Sequence, residues 1–229
     1  MTTGTATDSL EIGIHAGGRS GTVEGLLTRP PRAASLLVLA HGAGAGMRHS
    51  FMEAAAATLA ERGIATLRYE FPYMQKKSRR PDPPEVLQDT VRAATRAAAA
   101  AAPDLPLFAG GKSMGGRMTS LAAAAEPLDG VRGVFFFGFP LHPAGAPSST
   151  RGAHLSRVTV PMLFLQGTRD RLADLDLLRP LLAGIPLATL TILEGADHSF
   201  KAPKSAGRTD AERLAALADT VAGWTKELA

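Results

Sequence analysis

The sequence has no cysteine among its 229 residues. This absence excludes disulfide bonds, a cysteine nucleophile and metal sites built from thiolates. A chain without disulfides is suited to a reducing compartment, so we expect a cytoplasmic protein. The histidines also lack the helical spacing of paired metal ligands, and the sequence predicts neither a metal site nor a cofactor.

Long apolar runs are also missing. No stretch reaches the roughly 18 consecutive apolar residues that a membrane-spanning helix requires. Residues 1–9 are polar, whereas a secretion signal would place an apolar segment after a basic one. These absences predict a protein that works without a membrane.

A strong excess of charge of one sign is missing too, since 25 Lys and Arg against 21 Asp and Glu give a net charge of +4. The one dense basic cluster, residues 76–80, lies in a short segment bounded by prolines. No aromatic side chains alternate with it to stack on bases. We therefore expect a solvated loop there and no nucleic-acid partner.

Aromatic residues make up only 5% of the chain and hydrophobic residues 45%, so Ala, Leu and Val must fill the core. The length fits one domain over residues 1–229, of which 1–8 are expected to be flexible. Strand-length apolar runs alternate with helical segments, which predicts an α/β fold with a mostly parallel central sheet and helices on both faces. The predicted strands are 10–14, 22–27, 35–40, 64–69, 105–110, 131–137, 160–166 and 188–193. The predicted helices are 49–62, 85–102, 118–125, 174–182 and a last one capped by Thr209 and Glu212, with Leu214, Leu217, Val221 and Trp224 as its buried stripe.

The most informative motif is G-x-S-x-G at residues 111–115, between a predicted strand and a predicted helix. This context is typical of the nucleophile elbow of a serine hydrolase, a strained turn that exposes the hydroxyl of Ser113. Gly111 and Gly115 leave out β-carbons that would collide in the turn, and Gly116 lets the helix approach the strand.

Two further polar residues follow strand ends in the order that a Ser-Asp-His triad requires. Asp170 follows the strand 160–166, and His198 follows the strand 188–193. Functional loops gather at the carboxyl ends of parallel strands, so we expect both near Ser113. In such a triad His198 takes the proton of Ser113, and Asp170 orients the imidazole.

The oxyanion of a tetrahedral intermediate needs preorganised N–H donors. The backbone of Met114, directly after Ser113, is one candidate. Ala43 or Gly44, in the glycine-rich loop that follows the strand 35–40, is the other, and the sequence does not choose between them.

Each residue also has a simpler interpretation. Ser113 is a good helix N-cap, Asp174 lies only four residues after Asp170, and five other histidines are present. His41 is expected to shape the glycine loop. The triad is favoured because its three residues follow three strand ends in the right order.

Two competing motifs fail. A phosphate-binding loop of the Walker A type needs glycine five positions before Gly111, where Pro106 stands. The loop 42–46 lacks the last glycine of a dinucleotide fingerprint, since Met47 occupies that position.

The chain resembles the α/β-hydrolase superfamily over essentially its whole length, and in particular its small dienelactone-hydrolase-like members. Several stretches resemble still more closely bacterial relatives of the hydrolase-like domain in a subunit of the animal non-specific lethal complex. The stretches that carry this resemblance are 41–44, 68–73, 110–117, 138–143, 166–170 and 197–200. The resemblance implies Ser113 as nucleophile, Asp170 as acid and His198 as base. Dienelactone hydrolases proper use a cysteine at the elbow, so their substrate is not carried over to this chain.

The interval 139–158 is too short for a cap domain, which predicts a shallow pocket bordered by loops. We expect its walls to be Phe71, Tyr73, Phe139, Leu141 and His142, which follow strand ends. Without a cap there is little apolar surface to enclose a long chain, so we expect small or short-chain carboxylic esters as substrates.

Two alternative functions remain open from the sequence. One is a hydrolase-fold interaction module without turnover, and the other is an acyltransferase or peptidase with the same triad.

Overall fold

Eight strands form one sheet in the computed structural model, which describes residues 4–16, 18–203 and 207–229. The strands are β1 (Ala6–Ala16), β2 (Arg19–Arg29), β3 (Ser35–Ala40), β4 (Ile64–Tyr69), β5 (Leu107–Lys112), β6 (Val131–Phe137), β7 (Met162–Gly167) and β8 (Ala188–Leu193). Their order across the sheet is β1-β2-β4-β3-β5-β6-β7-β8. β1 pairs antiparallel with β2, and β2 antiparallel with β4, while all other neighbours are parallel.

Six α-helices connect or follow these strands in the described part of the chain. They are α1 (Ser50–Ala60), α2 (Pro72–Gln75), α3 (Pro84–Ala101), α4 (Met114–Ala125), α5 (Leu175–Ala183) and α6 (Asp210–Glu227). Two short 3-10 turns, Thr150–Gly152 and Leu155–Arg157, lie between β6 and β7. No cap domain is inserted at this point, and the predicted fold class, a mostly parallel sheet between helices, is confirmed.

The core consists of two apolar layers, one on each face of the sheet. On the first face, α3, α4 and α5 cover a cluster that includes Leu87, Met118 and Leu178. On the second face, α1 and α6 cover a smaller cluster that includes Met52 and Leu217. Side chains alternate between the faces along each strand, and so β3 contributes to both layers. This division decides which residues can reach a site on either face.

The main differences from the predicted elements lie in the first hairpin. β1 begins at Ala6 and not at residue 10, so residues 6–8, expected to be flexible, form part of a long antiparallel pair with β2. Residues 1–3, also expected to be flexible, and Gly17 lie outside the described residues. The short helix α2 was also missed, because four residues are too few to show a helical period.

The last helix begins as predicted and packs slightly differently. Thr209 and Glu212 form both hydrogen bonds of the capping box. Leu217, Val221 and Trp224 are buried against the sheet, whereas Leu214 is only partly buried and faces a cleft. Trp224 packs so closely that a β-carbon on Gly133 would lie 2.6 Å from its ring. Among the described residues no helix is both long enough and apolar enough to cross a membrane.

A buried histidine joins the β6–β7 connection to α4. Nε2 of His154 lies 2.7 Å from Oγ of Ser120, and both side chains are inaccessible to solvent or nearly so. Burial, together with the positive charges of Arg117 and Arg157, lowers the pKa of His154 to about 4. The folded protein therefore holds this imidazole neutral at a pH where the unfolded chain protonates it.

This difference in pKa predicts a stability that depends on pH. The contribution of His154 is complete above about pH 6.5, the pKa of an unfolded histidine, and is lost as the pH falls towards 4. Between pH 7.5 and 5 we expect the free energy of unfolding to fall by about 1 to 2 kcal/mol more in the wild type than in His154→Gln. Denaturant unfolding at both pH values measures the difference. Parallel pH dependences of the two proteins would contradict the assignment.

Candidate active site

Ser113 lies at the sharp turn between β5 and α4, in a backbone conformation that few residues other than glycine adopt. Its φ is 51° and its ψ is −118°. Since α4 begins directly at Met114, the turn contains a single residue, and Oγ of Ser113 points into an open cleft. A non-glycine residue with positive φ is strained, and the surrounding packing must hold it in place.

The glycines around Ser113 explain how the turn is held. A β-carbon on Gly111 would lie 2.3 Å from the carbonyl oxygen of Ala40, and one on Gly115 would lie 2.5 Å from the same atom. A β-carbon on Gly116 would lie 2.8 Å from the carbonyl oxygen of Gly111. Real β-carbons do not approach so closely, so strand β3, the turn and α4 pack backbone against backbone only because these positions are glycine.

His198 lies between the other two predicted triad residues. Its Nε2 is 2.8 Å from Oγ of Ser113, and its Nδ1 is 2.7 Å from Oδ2 of Asp170. The side chain of Asp170 is fully buried, while that of His198 keeps about a quarter of its surface exposed (23%). With Nδ1 as donor to the carboxylate, Nε2 is left as the acceptor for the hydroxyl proton of Ser113.

The carboxylate of Asp170 is held by two further donors. Nε2 of Gln166 donates to Oδ2 at 2.5 Å, and the amide of Leu172 donates to Oδ1 at 2.8 Å. The loops that carry the acid and the histidine are also tied together, because the amide of Arg169 donates to the carbonyl of Ala196. A buried carboxylate with three donors has a fixed orientation, and it fixes the imidazole in turn.

The alternative acids have other roles. Asp174 caps α5 by accepting a hydrogen bond from the amide of Asp176. Asp197 accepts from the amides of Ser199 and Lys201 and so shapes the turn after His198. Of the three candidate aspartates, the structure brings only Asp170 to the imidazole.

Lys112, directly before Ser113, was not singled out by sequence reasoning. Its Nζ donates to the backbone carbonyl of His198 at 2.5 Å and lies 5.8 Å and 5.4 Å from the ring centroids of Phe51 and Phe200. Burial lowers the pKa of Lys112 to about 8, while the charges of Asp170 and Asp197 act in the opposite direction. The ammonium therefore ties the histidine loop to the elbow.

The glycine loop after β3 lies beside the elbow. A β-carbon on Gly42 would lie 3.6 Å from Cβ of Ser113. The amide of Gly44 donates to the hydroxyl of Tyr73 at 3.1 Å, and the amide of Met47 donates to Glu70. Because Gly44 is already engaged, Ala43 remains as the candidate donor in this loop.

The buried His41 holds the glycine loop by two hydrogen bonds, as its position at the start of the loop predicted. Its Nδ1 donates to the carbonyl of Gly42, and its Nε2 accepts from the amide of Phe71. Neither ring nitrogen is left for proton transfer.

Apart from Gly44, the candidate oxyanion donors are the backbone amides of Met114 and Ala43. Neither amide donates a hydrogen bond to any group in the described part of the chain.

The predicted pocket walls are wrong. Phe71, Tyr73, Phe139 and Leu141 belong to the core layer under α3, α4 and α5, and at most 1% of each is exposed. His142 is buried too, and its Nε2 accepts from the amide of Asp174. These residues do follow strand ends, but they turn towards the first face of the sheet, whereas the cleft opens on the second face.

The cleft at Ser113 has a volume of about 1320 Å³ and is larger than a shallow loop-bordered pocket. Gly42, Ala43, Lys112, Leu172 and His198 line the part next to the hydroxyl. The rest runs between α1 and α6 and is lined by residues of both helices. Among the described residues no cluster of His, Cys, Asp and Glu is suited to a metal ion.

Sequence reasoning missed Gln166 and Lys112, and a signal existed for both. Gln166 is the one polar residue of β7, and a polar side chain in a fully buried strand needs a partner. Lys112 ends the otherwise uncharged strand β5 directly before Ser113. Tyr73 was predicted as a wall, but it is an anchor of the glycine loop.

Comparison with known proteins agrees with this fold. A family model described as "Alpha/beta hydrolase domain" matches residues 33–226. A dienelactone hydrolase from Anabaena variabilis is 22% identical with a TM-score of 0.75, over 97% of this chain and 98% of that one.

Two further solved structures are similar. A serine hydrolase without a lid from Xanthomonas campestris is 23% identical with a TM-score of 0.72, over 98% of this chain and 96% of that one. A cold-adapted esterase from an Arctic intertidal metagenomic library is 19% identical with a TM-score of 0.67, over 95% and 94% of the two chains. At these identities the likenesses show the fold.

The contacts of the acid predict how substitutions change the reactivity of Ser113. Asp170→Asn replaces the acceptor of the imidazole N–H by an amide, so we expect fluorophosphonate labelling of Ser113 to slow by about 10³- to 10⁴-fold. Asp174→Asn is the matched control, because asparagine caps a helix nearly as well as aspartate and labelling stays at the wild-type rate. Equal rates in both variants would exclude Asp170 as the group that orients His198.

The position of Lys112 generates a second prediction. Lys112→Met keeps a side chain of similar length beside Phe51 and Phe200 but removes the ammonium and its hydrogen bond to the His198 carbonyl. We expect labelling of Ser113 to slow by about tenfold, the effect of one charged hydrogen bond in positioning. Lys76→Met, at an exposed position, is the control. Labelling of Lys112→Met at the wild-type rate would show that the ammonium does not position the histidine.

Proposed function

The chain belongs to the family of alpha/beta hydrolase domains, and we propose that it is a serine hydrolase that cleaves small or short-chain carboxylic esters through an acyl-enzyme at Ser113. The observation that carries the proposal is the continuous chain of hydrogen bonds from Ser113 through His198 to Asp170, at 2.8 Å and 2.7 Å. A serine hydroxyl is a poor nucleophile unless a base takes its proton, and this arrangement supplies the base.

In the proposed reaction Oγ of Ser113 attacks the ester carbonyl while Nε2 of His198 takes its proton. Asp170 stabilises the imidazolium, which then protonates the departing alcohol. A water molecule attacks the resulting acyl-enzyme with His198 as base, and the carboxylic acid leaves as Ser113 regains its proton.

The developing oxyanion is bound by the backbone amides of Met114 and Ala43. Met114 is the first residue of α4, so its amide has no partner within the helix and carries part of the positive end of the helix dipole. Ala43 is held beside the elbow by the anchors of the glycine loop. Each such donor is worth about 3 kcal/mol in the transition state.

An ester is supported as the substrate class by the size and polarity of the site. Next to Ser113 the cleft is lined by the small or apolar residues Gly42, Ala43 and Leu172, and the ammonium of Lys112 there is bound to the His198 carbonyl. An uncharged carbonyl compound with a small acyl group fits this part of the cleft without a cap. The cold-adapted esterase among the similar structures agrees with an ester substrate.

The decisive test is hydrolysis of p-nitrophenyl acetate and butyrate by the wild type and Ser113→Ala. We expect turnover by the wild type and a loss of kcat by several orders of magnitude in the variant, because the nucleophile is missing. In the wild type, the fluorophosphonate adduct must lie on Ser113 when the modified residue is identified by peptide sequencing.

The matched control is Ser199→Ala, since Ser199 also borders the cleft but forms no hydrogen bond to His198. Its turnover should equal that of the wild type. Unchanged hydrolysis in Ser113→Ala would contradict the proposed nucleophile. No turnover of any ester by the wild type, with a well-folded protein, would favour an interaction module.

A further inference from the structure

The cleft at Ser113 continues as a groove between α1 and α6. A short ester bound at Ser113 would leave this groove unoccupied. Ser50, Ala54, Ala57 and Glu61 line it from α1, and Ala211 and Ala215 from α6. Its floor is formed by Met52 and Leu217 of the second core layer. The groove is therefore apolar and continuous with the nucleophile.

The two helices run from the nucleophile outwards. The first turn of α1 lies at the elbow, since the ring of Phe51 is within 5.8 Å of the Lys112 ammonium. The first turns of α6 are tied to the histidine loop, because Nε of Arg213 donates to the carbonyl of Phe200 at 3.0 Å. Both walls thus begin at the reacting group.

Just beyond the lining residue Glu61, an ion pair joins the two helices. Arg62, just after α1, bonds to Asp219 of α6 at 2.6 Å. From residue 50 to residue 61 a helix rises about 16 Å, the length of a linear chain of roughly a dozen carbons. The groove consequently has a defined length.

Small side chains keep the groove open. Ala54 and Ala57 are exposed on α1, and Ala211 is exposed on α6. Larger residues at these positions would fill the space between the helices. The charged residues that line the cleft away from Ser113 are Glu61, Lys201, Asp210 and Glu212. Carboxylates predominate among them and disfavour a chain that ends in a carboxylate.

We propose that the groove between α1 and α6 binds an uncharged, linear apolar chain attached to the ester that Ser113 attacks. This inference rests on the proposed function and extends its substrates beyond the small ester at the nucleophile. The chain is either the acyl chain or the alcohol chain, and two series of substrates distinguish these sources.

The first experiment measures kcat/KM for p-nitrophenyl esters with acyl chains of 2 to 16 carbons, and for acetates of linear alcohols of 2 to 16 carbons. A fully buried methylene improves binding about fourfold, so a half-open groove should give about twofold per carbon. We expect this rise in one of the two series, with a plateau near the length of the groove. A flat or falling dependence in both series would overturn the proposal.

Two variants test how long a chain the groove accommodates. Ala54→Leu obstructs it nearer to Ser113, and Ala57→Leu obstructs it about 4.5 Å further out, one helical rise of three residues. The plateau should come three or four carbons earlier in Ala54→Leu than in Ala57→Leu. For the ten-carbon ester relative to the acetate, Ala54→Leu should lose at least ten times more kcat/KM. Ala57→Leu leaves room for about eight carbons, so it should lose about fourfold more.

The control is Ala99→Leu, an exposed position of α3 on the other face of the sheet. Leucine and alanine have similar helix propensities, so all three variants keep their helices. Ala99→Leu should follow the wild type at every chain length. Equal losses for long and short esters in the groove variants would overturn the proposal.

A binding measurement on a variant without the Ser113 hydroxyl tests the groove independently of the proposed ester hydrolysis. Calorimetric titration of 1-decanol into Ser113→Ala should show one binding site, with a Kd at least tenfold weaker in Ser113→Ala/Ala54→Leu. Binding here with no ester hydrolysis by the wild type would contradict the esterase proposal but support the groove. No binding to Ser113→Ala would overturn the groove even if short esters are hydrolysed.

Discussion

The active-site region depends on one close approach, in which the turn between β5 and α4 lies directly on the end of β3. Three backbones meet there without a side chain between them, since a β-carbon on Gly111 or Gly115 would lie within 2.5 Å of the carbonyl oxygen of Ala40. This contact holds Ser113 at its positive φ and brings the glycine loop beside it. Oγ of Ser113, the amide of Met114 and the amide of Ala43 thus obtain their relative positions from the packing of the backbone and not from flexible side chains.

The histidine is held in a different way, by hydrogen bonds from two sides. Asp170 fixes the ring through Nδ1, and Lys112 fixes the backbone through the carbonyl of His198. Gln166 adds a further link, because its amide group joins the carboxylate of Asp170 to the backbone of Phe139. Together these buried hydrogen bonds hold the loop after the edge strand β8 in place and so support the imidazole.

Much of this arrangement could be predicted from the sequence. The alternation of strands and helices indicated the fold, and Ser113, Asp170 and His198 were found because a parallel sheet brings the ends of its strands to one edge. The walls could not be found in this way. Phe71 and Phe139 also follow strands, but which face of the sheet a side chain enters depends on the exact residue at which the strand ends. A groove between α1 and α6 depends on how two helices distant in sequence pack together, and no local pattern carries that information.

The single tryptophan of the chain provides an intrinsic fluorescent probe of this arrangement. Trp224 lies near the end of α6, packed against Phe108 and the backbone of Gly133, while the beginning of the same helix forms one side of the groove. Since no other indole contributes, the fluorescence spectrum of the protein comes from one buried site on one helix. Its emission maximum and its accessibility to quenchers therefore report whether α6 remains docked on the sheet, without any added label.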